Sequence, residues 1–156
     1  MRILAVLLVG LAVLRPALAS AEVTWTLLKK EGRAYLQGLS GVEEGDEEFW
    51  LQCRADKAVD LGAGGETGVG TGKGEAVTLT LSSDGKTAKL SGTSRNTRNF
   101  QMTAGVELRT KVSRDDPVFA VLATGKAIKV TGSIKPVTWP VKGLKAKVAA
   151  FLQACR

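Results

Sequence analysis

The hydrophobic period of this chain changes once, and that change limits its fold more than any other feature. Across residues 23–130 the apolar positions recur at every second residue in several runs. From Val141 to the end they recur at every third or fourth. A period of two places alternate side chains on opposite faces of a strand, while a period near 3.6 gathers them on one stripe of a helix. Val77, Leu79 and Leu81 alternate with Thr78, Thr80 and Ser82, and after Ser83-Asp84-Gly85-Lys86 the run resumes at Ala88 and Leu90. That arrangement reads as a β-hairpin. Val106, Leu108, Thr110 and Val112 make another alternating run, as do Ile128 and Val130; residues 24–28, 34–36 and 48–53 read as earlier strands. Arg114-Asp115-Asp116-Pro117 reads as a turn into one more strand over 118–122. Short strands separated by Gly, Asp and Ser turns predict a mainly β protein. The expected form is an antiparallel β-sandwich, or a barrel-like closure, with one C-terminal α-helix.

The helical stripe is Val141, Leu144, Val148, Phe151 and Cys155, widened by Leu152, with Lys142, Lys145 and Lys147 mostly off it. Pro140 suits the first turn, where its missing N–H costs nothing. Gly143 weakens the helix by about 1 kcal/mol relative to Ala. Phe49, Leu51 and Cys53 share one face of the strand over 48–53. Two independent periodicities thus aim Cys53 and Cys155 at the interior. The pair reads as a disulfide closing a loop of about 100 residues, and neither cysteine has the CxxC neighbour or histidine of a reactive thiol.

The compartment is read from the first 21 residues. Arg2 gives a basic start, residues 3–14 are apolar without an acid, and Ala17-Leu18-Ala19-Ser20-Ala21 offers cleavage after Ala19 or Ala21. This is the grammar of a secretory signal peptide, and the apolar run falls short of the roughly 20 residues that span a bilayer. Residues 1–21 are therefore expected to be a leader and 22–156 a single domain in the periplasm or outside the cell, with no transmembrane segment after cleavage. The leader holds two of the 22 basic residues and none of the 15 acidic ones, so the charge falls from +7 to about +5. A charge of that size, scattered along the chain, keeps the domain soluble and draws it weakly to anionic surfaces. With eight aromatic residues in all and no interleaving of basic and aromatic positions, nucleic acid is not an expected partner.

Histidine is absent from the chain, which removes Ser-His-Asp and Cys-His catalysis, His-ligated zinc and histidine pH switching. Residues 62–74 carry seven glycines and Lys73. The phosphate-loop pattern fails there at Thr67 and Gly74, and the dinucleotide pattern fails at Thr67, Lys73 and Glu75, so the segment reads as a mobile loop between strands. Glu43, Glu44, Asp46, Glu47 and Glu48 surround Gly45 without the alternating spacing of a calcium loop, and read as a solvated turn. Trp25, Trp50 and Trp139 read as half-buried core residues, with Trp139 capping the sheet where the helix begins. The segment over 91–103 is polar and basic, and Lys89, Arg95 and Arg98 are candidates for the rim of a site for an anionic partner. No catalytic, cofactor-binding or metal-ligating residue is named by any pattern, and no cofactor is expected.

The run Phe49-Trp50-Leu51-Gln52-Cys53, the alternating strands and the closing Val141-Lys142-Gly143-Leu144 resemble the small exported alphaproteobacterial proteins of the invasion-associated locus B type. The resemblance lies in the arrangement of both ends. The chain lacks the additional cysteines of many members, and residues 62–74 have no counterpart in that pattern. It implies a periplasmic β-sandwich with an envelope or host-interaction role and carries over no functional residue. The expected function is a non-enzymatic binding or interaction module whose partner is an envelope protein or an anionic surface component. Two rival readings stay open: a proteinaceous inhibitor of an envelope hydrolase, and an enzyme working with carboxylates alone.

Overall fold

Strand pairing follows the alternation read from the sequence and extends it. The structure, a computed structural model, describes residues 22–30, 33–41, 47–54, 58–65, 68–98 and 100–155, so the expected leader over 1–21 lies outside it. Among the described residues, nine strands form one antiparallel sheet: β1 (Val23–Lys30), β2 (Arg33–Ser40), β3 (Glu47–Cys53), β4 (Val59–Ala63), β5 (Lys73–Ser83), β6 (Lys86–Asn96), β7 (Val106–Val112), β8 (Ala127–Thr131) and β9 (Val137–Pro140). The spatial order is β1-β2-β3-β4-β7-β6-β5-β8-β9. The sheet curls until it is nearly closed into a barrel. At the seam Trp25 Nε1 on β1 donates to the Pro140 carbonyl on β9 at 2.6 Å, and the Trp25 and Trp139 rings meet edge to face. Of the two closures expected, the barrel is the one that forms.

Three helices complete the chain: α1 (Phe100–Thr103), α2 (Pro117–Leu122) and α3 (Leu144–Ala154). The expected strand over 118–122 is the helix α2. Val118, Phe119, Val121 and Leu122 are buried while Ala120 is exposed, which is a helical face. Asp116 accepts from the Val118 N–H and Pro117 holds the first position, so the Asp-Pro read as a turn is a helix start. The expected entry to α3 is likewise corrected. Pro140 ends β9, and Gly143 at φ +73° is the N-cap, because a left-handed residue cannot sit inside a right-handed helix. The stripe itself is as read, with Leu144, Val148 and Phe151 buried. Strands β4 and β9 were not read from the sequence. Trp139, expected as a cap, is fully buried within β9.

Helices α2 and α3 gather at one end of the barrel. The Phe119 ring of α2 stacks on Phe151 of α3. Cys155, just past α3, is bonded to Cys53 at the end of β3, with Cα atoms 5.7 Å apart. Arg114, just past β7, donates to the Cys155 carbonyl at 2.9 Å. At the opposite end the glycine segment is not a free loop. Gly64, Gly65, Gly68 and Val69 are buried. The Val69 carbonyl accepts from Ser94 Oγ at 2.5 Å, and its N–H reaches the Val106 carbonyl at 3.2 Å. The segment thus packs across the barrel end, and Val69 fills the interior there.

Candidate functional site

Alternation sends Phe49, Leu51 and Cys53 of β3 into the core and Trp50 to the outer face, where a large aromatic ring is not needed for packing the interior. Trp50 lies opposite Gly62 of β4, and Gly62 lies opposite Arg109 of β7. The ring rests on Gly62: a Cβ there would run into Trp50 Nε1 and come within 2.8 Å of Glu107 Oε2. Only glycine leaves room for the indole to lie flat on the strand. Trp50 Nε1 donates to Glu107 Oε2 at 2.8 Å, and Arg109 Nε donates to Glu107 Oε1 at 2.6 Å. Glu107 is 1% exposed, so both of its oxygens need these partners. A second Arg109 nitrogen donates to the Asn96 carbonyl at 3.1 Å.

On the other side of Trp50 the Tyr35 ring of β2 stacks at 6.2 Å, and its hydroxyl donates to Glu47 Oε1. Burial raises the Glu47 carboxyl above its usual range. Burial and the Glu47 carboxylate push the Tyr35 hydroxyl well above its ordinary value. Arg98, in the turn after β6, covers both rings. Its guanidinium carbon lies 5.3 Å from the Tyr35 centroid and 5.3 Å from the Trp50 centroid, and Nη1 donates to the Tyr35 hydroxyl at 3.3 Å. A guanidinium held by its face keeps its remaining N–H edges for a planar anion. Glu47 and Glu48 belong to β3, half-buried and buried, so these two are not part of a solvated turn. Glu43, Glu44 and Asp46 lie outside the described residues.

The cations expected to form a rim share this outer face only in part. Lys89 and Arg95 both point outward from β6 but are six residues apart, roughly 20 Å along a strand. Arg95 stands opposite Lys73 on one side and Glu107 on the other. In the same register Arg109 and Lys111 of β7 and Lys129 of β8 face outward too. The carboxylates on these rows, Asp60 and Glu107, are each ion-paired, to Arg54 at 3.0 Å and to Arg109 at 2.6 Å. Lys73, Arg95, Arg109 and Lys111 thus share the outer side of neighbouring strands, while other basic residues lie elsewhere, such as Arg33 on β2 and Lys145 and Lys147 on α3. Arg98 stands at the β3 side of that face, over the aromatic pair, and Lys89 at its far end.

Tyr35, Gly62, Glu107 and Arg109 were not singled out in the sequence; Trp50, read there as a half-buried core residue, is buried on the outer face instead, outside the main core. The outward aim of Trp50 was readable from its apolar neighbours; its partners were not, because they depend on which strands adjoin. The two acids nearest the stack, Glu47 and Glu107, are bonded to Tyr35 and to Trp50 and Arg109 respectively. Among the described residues no three His, Cys, Asp or Glu side chains group to hold a metal ion, and no helix is long and apolar enough to cross a membrane. Comparison of the chain with protein-family models, with curated proteins and with solved structures finds no match.

Proposed function

We propose that this protein is an exported, non-enzymatic binding module that docks an anionic component of the cell envelope on the outer face of β4-β7-β6-β5. One observation carries the reading: Lys73 and Arg95 are direct cross-strand partners on that face. Like charges placed opposite each other destabilise a sheet, and an anionic ligand bound across the pair would offset the repulsion that Glu107, opposite Arg95 on its other side, leaves. Arg109, Lys111 and the stacked Arg98 extend the positive surface toward the Trp50–Tyr35 pair. The apolar leader and the buried disulfide support export, since disulfides persist in oxidising compartments. The resemblance to the invasion-associated locus B type points to the same setting. Attraction of this kind weakens as the Debye length falls below about 10 Å above 0.1 M salt.

The test compares two double charge reversals on a heparin column. Lys73→Glu with Arg95→Glu should elute at clearly lower salt than Lys142→Glu with Lys145→Glu, which changes the net charge equally but in and just before α3, a helix that packs on β1 and β2. Equal shifts for both would show that net charge alone governs retention and would remove the face from the argument. Mass spectrometry of the protein from whole cells tests the export claim, which an intact Met1 on the bulk of the material would overturn.

A further inference from the structure

The aromatic pair on the outer face lies outside the main core, so packing of the interior does not account for it. The Tyr35 and Trp50 rings are nearly parallel, 19° apart in plane, and offset at 6.2 Å. Residues directly opposite each other on neighbouring strands share a face of the sheet. Gln37 of β2 stands opposite Trp50, and Gln52 of β3 stands opposite Tyr35. Both glutamines are half-buried, so each ring has a side-chain amide beside it that solvent can reach. Leu28 of β1, 52% exposed, stands opposite Tyr35 and extends the strip toward the sheet edge. Arg98 is exposed and covers both rings at the same 5.3 Å, fastened by that stacking and by a 3.3 Å hydrogen bond to the Tyr35 hydroxyl. Arg109 approaches Trp50 as well, with its guanidinium carbon 6.0 Å from the ring centroid.

Rings with amides at their edges match a ligand that carries an apolar face and a polar rim together. A sugar ring is such a ligand: its C–H face lies on an aromatic ring while its hydroxyls take and give hydrogen bonds at the edge. A uronic acid adds a planar carboxylate, which a guanidinium holds with two parallel N–H bonds. Ligand length follows from the strand order. Trp50 on β3 and Arg95 on β6 are separated by β4 and β7, so they stand about 14 Å apart across three strand spacings of roughly 4.8 Å. A single phosphate or lipid headgroup reaches one of these places, whereas a polymer reaches both. We propose that the anionic component is an acidic polysaccharide of the uronate kind, one sugar of which stacks on Trp50 and Tyr35 in place of the Arg98 guanidinium. Arg98 then turns to that sugar's carboxylate, Gln37 and Gln52 bond its hydroxyls, and Lys73 and Arg95 meet carboxylates further along the chain. This inference rests on the outer-face reading and narrows its ligand.

The experiment titrates the protein at low salt with polygalacturonate, with polyglutamate of equal charge and with phosphatidylglycerol vesicles, by calorimetry and chemical shifts. Polygalacturonate should bind about tenfold more tightly than polyglutamate, which has the carboxylates without the rings. Its shifts should include the Trp50 indole N–H and the side-chain amides of Gln37 and Gln52. Tyr35→Ala should erase the preference between the two polymers, and Gln37→Ala with Gln52→Ala should lower it severalfold. Should Tyr35→Ala fail to fold, the glutamine pair and the shifts of the parent protein decide. Arg98→Ala should weaken polygalacturonate and strengthen neutral galactan, whose rings the guanidinium otherwise excludes. Equal affinity for the two polymers, or no shift at Trp50, Gln37 and Gln52, would overturn the stacked sugar. Vesicles bound more tightly than polygalacturonate would assign the face to lipid and overturn the polymer. The outer-face reading fails separately: there Lys73→Glu with Arg95→Glu would leave binding of both polymers unchanged.

Discussion

Gly62→Ala is the sharpest test of the outer-face cluster, because a single methyl group meets two of its members at once. The added Cβ would overlap the Trp50 indole nitrogen and stand 2.8 Å from Glu107 Oε2. Trp50 is held by its stack with Tyr35 and by Arg98, so it cannot simply swing aside. Forcing extra volume into a packed site costs about 1 to 3 kcal/mol. If the indole lifts instead, the bond to the buried Glu107 is lost, and hydrogen bonds to charged groups contribute about 1.5 to 3 kcal/mol. Against this, replacing glycine by alanine inside a strand returns roughly 0.5 to 1 kcal/mol of backbone entropy. The net expectation is a loss of about 1.5 kcal/mol, near the midpoint of these opposed effects. Urea unfolding followed by far-ultraviolet circular dichroism measures it without relying on tryptophan emission. The decisive comparison repeats Gly62→Ala in a Trp50→Ala background, where the obstruction is gone and the cost should fall below about 0.5 kcal/mol. An equal cost in both backgrounds would refute the claim that glycine is there to receive the indole.

Reduction of Cys53–Cys155, whose cysteines are 102 residues apart, should lower stability by about 2 to 5 kcal/mol and expose the α3 stripe; a melt unchanged after confirmed reduction contradicts this. Asp116→Ala removes the acceptor at the start of α2 and should cost about 1 kcal/mol in the same urea assay. Two glutamates should respond to pH in opposite senses. Backbone N–H groups of Thr71 and Lys73 hold Glu75 down at about 2 from the usual 4.5. Its stabilisation is therefore complete above 4.5 and lost as pH falls toward about 2, and Glu75→Gln should flatten that acid limb. Glu47, raised by burial, favours the fold below the usual 4.5 and loses that contribution as pH climbs above it, so Glu47→Gln should flatten a decline on the other side. Unfolding midpoints measured across pH 2 to 8 check both slopes.

Local pattern was enough for the elements whose burial is decided within a few residues. Period two named the β5–β6 hairpin and β7, and the one-sided apolar stripe named α3 and the inward aim of both cysteines. A strand of five to eleven residues shows its own inner and outer faces whatever lies beside it. The same local reading was ambiguous at 118–122, where a short apolar run fits a buried strand or a buried helix equally well. Asp116 and Pro117 decide it by capping, and the packing of Phe119 on Phe151 rewards the helix. At 140–143 the apolar period ran on through residues that the left-handed Gly143 keeps out of the helix.

The order β3-β4-β7-β6 lay beyond any local signal, and it alone assembles the outer face. Trp50, Gly62, Glu107 and Arg109 are far apart in the chain and meet because β7 inserts beside β4 before β6 returns. Lys73 confronts Arg95 rather than Asn96 because a bulge between Lys73 and Ala76 shifts the hairpin register by one residue, which no local spacing encodes. The barrel mouth is made the same way, from the ends of strands that the curl of the sheet brings round to one rim. Alternation along a strand is a property of the backbone and is written residue by residue. Neighbourhood between strands is settled by the energy of the whole core, and the sequence taken alone therefore determined the inward faces of β5, β6, β7 and α3 but not what the outer face and open end of the barrel bring together.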